Sequence, residues 1–239
     1  MSLEETLKKI QRRVDISGVR SDVSIFELEK ISMAAKHYQF ICAFAMPCFT
    51  ARLIELLKDE PNVNVGATIG FPSGADTTSI KVASTIEQIG MGVHELDMVI
   101  NIGAVKSGMY DIMEADIRAV VEAAQGLPVK SILEVAYLTD NEICHAAETA
   151  VKAGVAFVKT GTGWAGKPTT VETIRLIRKT IGKSAGIKAA GGIRSLDTMI
   201  DMINAGCDRF GVGLTSIISI MKERDQRLGI KDDFALSPS

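Results

Sequence analysis

The sequence predicts a closed (β/α)8 TIM barrel built as a single domain. Its 239 residues match the usual size of one such barrel and are too few for two large domains. Strand-like apolar runs alternate with amphipathic helical stretches along almost the whole chain, the pattern of a parallel α/β architecture. There are eight such pairs, which favours closure over an open doubly wound sheet.

In chain order, a strand near Arg13–Gly18 leads into a helix near Ser24–Lys36, Phe40–Ala45 into Thr50–Lys58, and Asn62–Ile69 into Thr77–Ile89. Gly92–Ile100 precedes Tyr110–Ala124, and Val129–Tyr137 precedes Asp140–Ala153. Ala156–Thr160 is followed by Val171–Thr180, Gly186–Ala190 by Ser195–Asn204, and Arg209–Val212 by Thr215–Lys222. Thr139-Asp140-Asn141-Glu142 and Ser195-Leu196-Asp197 read as helix starts, while Gly154 and Gly206 stand where helices should stop. The stretch from Glu223 onward is polar and loses periodicity, so the domain, 1–239, is expected to end in a polar tail from about residue 225.

A formal net charge of -2 gives no electrostatic bias toward nucleic acid or anionic lipid, which leaves small neutral or anionic molecules as the expected partners. The segment after Met1 lacks the apolar core of a secretion signal, and no run approaches the roughly 18 apolar residues of a membrane span. A soluble, cytoplasmic protein is expected. Cys42, Cys48, Cys144 and Cys207 form no C-x-x-C pair and read as free thiols. His37, His94 and His145 fall far apart, so no metal or organic cofactor is expected. Oligomeric state stays open, a homo-oligomer included.

In this fold the active site lies at the C-terminal ends of the strands, so charges there are suspect. Asp97 sits within the apolar run His94–Ile100, Lys159 ends Val155–Lys159, and Lys188 ends Ala185–Lys188. The helix-facing side of a barrel strand must be apolar, which turns these three charges inward. If the strands of Lys159 and Lys188 are neighbours, about 5 Å separates their backbones and the two ammonium groups compete for one small volume. Repulsion and desolvation then lower a lysine pKa and supply a free amine able to attack a carbonyl, with Asp97 moving protons. The competing reading is a satisfied interior ion-pair network.

The segments Glu95–Val99, Phe157–Gly163 and Gly186–Arg194 resemble the three signature segments of deoxyribose-phosphate aldolases, and the likeness runs from about Gly66 to about Gly211. It includes Ile69–Gly74 and Asn101–Ala104. The resemblance implies a class I lyase that cleaves 2-deoxy-D-ribose 5-phosphate reversibly to D-glyceraldehyde 3-phosphate and acetaldehyde. In it Lys159 forms the Schiff base, Lys188 perturbs it and Asp97 relays protons. It further implies a role near Lys188 for Asp15 on the first strand, and Glu134, read as an interior residue of the fifth strand, joins the same network.

Departures from the family are specific. A His-Thr or Thr-Thr pair usually follows the first-strand aspartate, where this chain has Ile16-Ser17; the cysteine and proline of the second strand, usually about three apart, are spread as Cys42 and Pro47. Trp164 follows the lysine segment, where it either stacks on substrate or packs against a loop. Gly191 and Gly192 offer backbone N–H groups beside a helix start, suited to phosphate. The paired serines that many relatives carry after the eighth strand are Gly213 and Leu214 here, leaving the backbone of Gly213 as the third expected contact, with Arg194 either adding charge or simply ending a helix. Two rival readings follow: a Schiff-base barrel aldolase for a different, unphosphorylated sugar, or a non-catalytic sugar-phosphate-binding relative.

Overall fold

The apolar runs form eight parallel strands in the computed structural model, which describes residues 2–235. They are β1 (Val14–Gly18), β2 (Cys42–Ala45), β3 (Asn64–Ile69), β4 (Glu95–Val99), β5 (Val129–Ile132), β6 (Phe157–Lys159), β7 (Gly186–Ala190) and β8 (Arg209–Gly213). They pair in chain order and β8 closes on β1, which is the expected barrel. Around it lie α1 (Leu3–Lys9), α2 (Ile25–Tyr38), α3 (Thr50–Leu57), α4 (Thr78–Met91), α5 (Ile102–Lys106), α6 (Tyr110–Ala123), α7 (Asp140–Lys152), α8 (Val171–Ile181), α9 (Leu196–Asn204) and α10 (Leu214–Leu228).

Side-chain alternation divides the barrel into two environments. Ile16, Ala43, Val65, Leu96, Met98, Val158, Ile187 and Phe210 point outward and are buried under helix stripes such as Ile174, Ile177 and Ile181 of α8, which recur at helical spacing. Met199, Met202 and Met221 belong to this apolar layer. The inward positions carry the charges. Ion pairs also lie in the helical layer: buried Lys81 of α4 reaches Asp116 of α6 at 2.6 Å and donates to the Val99 carbonyl at 3.0 Å, tying both helices to the end of the strand that carries Asp97.

The predicted helix starts and stops hold locally. Thr139 caps α7 in a full capping box with Glu142, Ser195 caps α9, and Gly154 and Gly206 take positive φ just past the ends of α7 and α9. Two boundaries differ markedly from the sequence reading. The fifth strand ends at Ile132, because Glu134 adopts a left-handed backbone (φ 56°) that breaks the ladder and opens a short 3-10 turn, Val135–Tyr137. The stretch read as tail from about 225 is helical as far as Leu228, with Arg224 and Asp225 buried as a 2.6 Å pair and Gly229 ending the helix. Beyond it Phe234 packs on His37 and Tyr38, while the last four positions of the predicted tail fall outside the described residues. Helices α1 and α5 were not expected; α1 starts with a capping box from Ser2 and Glu5. Among the described residues no helix is long and apolar enough to cross a membrane.

Candidate active site

Strand register decides which inward residues meet. Lys159 of β6 lies opposite Lys188 of β7, Lys188 opposite Arg209 of β8, and Asp97 of β4 opposite Lys130 of β5. The condition set on the two lysines, that their strands be neighbours, is met. Asp97 Oδ2 accepts from both, at 2.7 Å from Lys159 Nζ and 2.6 Å from Lys188 Nζ. Lys188 also reaches Asp15 Oδ2 at 2.6 Å, so Asp15 joins the network.

Three more charges complete the cluster. Lys130 Nζ donates to Asp97 Oδ1 at 3.2 Å and to Glu95. Arg209 donates to Asp15 Oδ1 at 3.0 Å and to Glu95 Oε2 at 2.9 Å. Each of these seven side chains is less than a tenth exposed. Sequence reading missed Lys130, Glu95 and Arg209, although all lie at inward positions of their strands and the alternation that found Asp97 applies equally to them.

Charge counting explains the unusual member. Among the described residues Lys130, Lys159, Lys188 and Arg209 face only Asp15, Glu95 and Asp97, so the cluster carries one surplus positive charge while all four cations are protonated. Releasing one proton makes it neutral. Burial lowers the Lys159 pKa to about 8; the Asp97 carboxylate opposes that shift, and the Lys188 ammonium adds to it. At pH 7 such an amine is neutral in roughly one molecule in ten, against about one in three thousand for an ordinary lysine. Burial alone would push the Asp97 carboxyl up, but the ammonium groups of Lys130, Lys159 and Lys188 hold it well below the usual carboxylate range. Lys130, held up by the surrounding carboxylates against its burial, stays a cation.

Glu134 does not join this network, contrary to expectation. Its left-handed backbone turns the buried carboxylate to Thr162, whose backbone N–H donates to it at 3.2 Å and whose hydroxyl also donates to it. Gly161 makes room, since a Cβ there would meet Glu134 Oε1 at 2.8 Å.

A cavity of about 320 Å³ opens above Lys159 at the C-terminal end of the barrel. Gly191, Gly192 and Gly213, the three expected anion contacts, line it together with Ser17, Thr162, Arg194 and Ser216, and among the described residues no carboxylate does. Ser216 was not anticipated; it lies in the first turn of α10, whose N-cap is Gly213. The histidines lie elsewhere: exposed His94 accepts from Val65 N at 3.1 Å, His37 lies 3.4 Å from Asp232, and His145 packs on Tyr110. Asp15, Cys42 and Glu95 come close enough to share a cation, but both carboxylates already accept from Lys188, Lys130 and Arg209. Burial, then Glu95 and Asp15, push the Cys42 thiol well above its ordinary pKa, which keeps it protonated.

Replacing Lys188 with Leu removes one cause of the depressed Lys159 pKa. Lys188→Leu should therefore shift the pH–rate profile upward from about 8, with activity falling more at pH 7 than at pH 9. A full pH–kcat profile checks this, and an unchanged profile would remove Lys188 from the tuning role.

Residues 14–218 match the profile of the DeoC/LacD family aldolases. The chain is 40% identical to the deoxyribose-phosphate aldolase of Rhizobium meliloti over 210 residues, covering 88% of this chain and 85% of that one. Among solved structures it resembles an aldolase designated QR15, with TM-score 0.86 and 33% identity over 93% of this chain and 99% of the other. The tetrameric deoxyribose phosphate aldolase of Aeropyrum pernix superposes with TM-score 0.82 at 24% identity, covering 93% of this chain and 98% of that one, a likeness of fold.

Proposed function

The chain belongs to the DeoC/LacD family of aldolases, which are carbon–carbon lyases, and from that premise we propose that it cleaves 2-deoxy-D-ribose 5-phosphate to D-glyceraldehyde 3-phosphate and acetaldehyde through a Schiff base on Lys159. The observation that carries this reading is the neutral-prone amine of Lys159, at the floor of a cavity that opens onto the barrel's ion cluster. The Lys159 amine adds to the C1 aldehyde of the open-chain sugar, and loss of water from the carbinolamine leaves a protonated imine. The imine draws in the electron pair of the C2–C3 bond. As that bond breaks, the C3 hydroxyl gives up its proton and becomes the aldehyde of glyceraldehyde 3-phosphate. The enamine left on Lys159 takes a proton at C2, and water then releases acetaldehyde and the free amine. Asp97, ionised and bonded to both lysines, accepts and returns the protons, while Lys188 and Asp15 hold it in position.

Phosphate binding is assigned to the backbone of Gly191 and Gly192, in the loop after β7, and of Gly213, the N-cap of the 15-residue helix α10. Exposed Arg194 adds charge at the rim, whereas Arg20 is already paired with Glu27 and Asp22. The rival reading, an unphosphorylated sugar, draws on one observation: Gly213 and Leu214 offer no hydroxyl, and Leu214 is buried. Each missing hydrogen bond to a charged group is worth on the order of 1.5–3 kcal/mol, with Ser216 supplying one hydroxyl in exchange. The preference in kcat/KM for 2-deoxyribose 5-phosphate over 2-deoxyribose is expected to persist but to be smaller, by roughly ten- to a hundredfold, than in serine-bearing relatives. Acetaldehyde release with both sugars under identical salt tests this, and equal rates would favour the rival.

The same reading has the protein acting in the cytoplasm as one domain. The tetrameric relative supports a homo-oligomer, and the net charge of -2 fits a small-molecule enzyme with no nucleic-acid or membrane partner.

A further inference from the structure

A substrate bonded to Lys159 must extend out through the mouth of the cavity, where one residue is unlike its neighbours. Gly191, Gly192 and Gly213 present bare backbone, and the single aromatic side chain among the described lining residues is Trp164. Trp164 is 44% exposed, yet it is held from three directions. Its indole Nε1–H donates to the Val19 carbonyl at 3.0 Å, fastening it to the loop after β1. Its ring meets Phe71, in the loop after β3, edge to face with centroids 6.0 Å apart. Its backbone N–H donates to Thr162 Oγ1 at 2.9 Å, and Thr162 is itself held by buried Glu134. The left-handed backbone at Glu134 and the missing Cβ at Gly161 are what let that carboxylate reach Thr162.

We propose that Trp164, pinned by Val19, Phe71 and the Glu134–Thr162 clamp, is the wall that sets which acceptor aldehydes the site admits. This rests on the aldolase reading above. A wall held at three points cannot swing aside at little cost, so it discriminates by shape: short chains pass between the indole and the glycine backbone, and bulky or aromatic acceptors are excluded. Glu134 thereby becomes a positioning residue that acts on substrate choice through Thr162 and Trp164.

The test measures kcat/KM for condensation of acetaldehyde with propanal and with phenylacetaldehyde, in the wild type, Trp164→Ala and Trp164→Phe. The propanal-to-phenylacetaldehyde ratio is expected to fall by about tenfold or more in Trp164→Ala. Trp164→Phe should lie between, because it keeps a ring against Phe71 but loses the N–H to Val19. Trp164 is the chain's one tryptophan, so its emission reports the mouth directly, and saturation with glyceraldehyde 3-phosphate should change it. Ratios within about twofold of wild type in both variants, or emission indifferent to that ligand, would overturn the proposal. If the wild type forms no imine at Lys159, the aldolase reading falls and this one with it; a working wild type whose variants keep its ratio removes this one alone.

Discussion

Lys159→Ala should lose turnover by on the order of 10⁴-fold or more, the scale on which removing a covalent nucleophile acts. The loss should leave the fold intact. Without Lys159 the cluster holds three cations against three carboxylates, and Asp97 still accepts from Lys130 and Lys188, so no buried charge is orphaned. Thermal melting within a few degrees of wild type, together with a lost rate, separates chemistry from stability. A variant that kept near-wild-type turnover would exclude Lys159 as the nucleophile.

Asp97→Asn should act on stability and rate together. It leaves four cations facing two carboxylates in the barrel interior, and removing one partner from a buried charge cluster costs about 3–5 kcal/mol. In a chain of this size that lowers Tm by roughly 6–20 °C. Losing the carboxylate that favours the Lys159 ammonium pushes the amine's pKa further down, so the amine is more often neutral and borohydride trapping should persist at pH 7. Turnover should nonetheless fall by about 10²–10⁴-fold, because the proton acceptor is gone. Melting curves, trapping and kcat on the same preparation check all three effects, and full activity would make Asp97 purely structural.

Much of this site was legible in the sequence, for a physical reason. A charge within an apolar barrel strand must face inward, and that identified Asp97, Lys159 and Lys188; the neighbouring of the two lysine strands was a condition that the strand register met. The same rule reaches Glu95, Lys130 and Arg209, but Glu95 and Arg209 open their strands beside polar residues, where inside and outside are hard to tell from sequence. Without them the interior reads as two lysines beside Asp97, Asp15 and Glu134, and the single surplus positive charge cannot be counted. Glu134 was assigned to the network because alternation was carried past Ile132. The left-handed turn at Glu134 resets it, and periodicity holds no signal for that. Trp164 was open between stacking and packing because loop geometry, which has no period, decides what it touches. In the fold, the Arg224–Asp225 pair hid the end of α10, since buried partners resemble a solvated polar tail in the sequence.

The most direct test of the central claim is borohydride reduction in the presence of acetaldehyde at pH 7, followed by peptide mass mapping. The account predicts one reduced two-carbon adduct, on the peptide bearing Lys159, increasing with pH toward about 8 as the amine loses its proton. An adduct on Lys188 or Lys130 in place of Lys159, or no adduct in an enzyme that turns over, would contradict it.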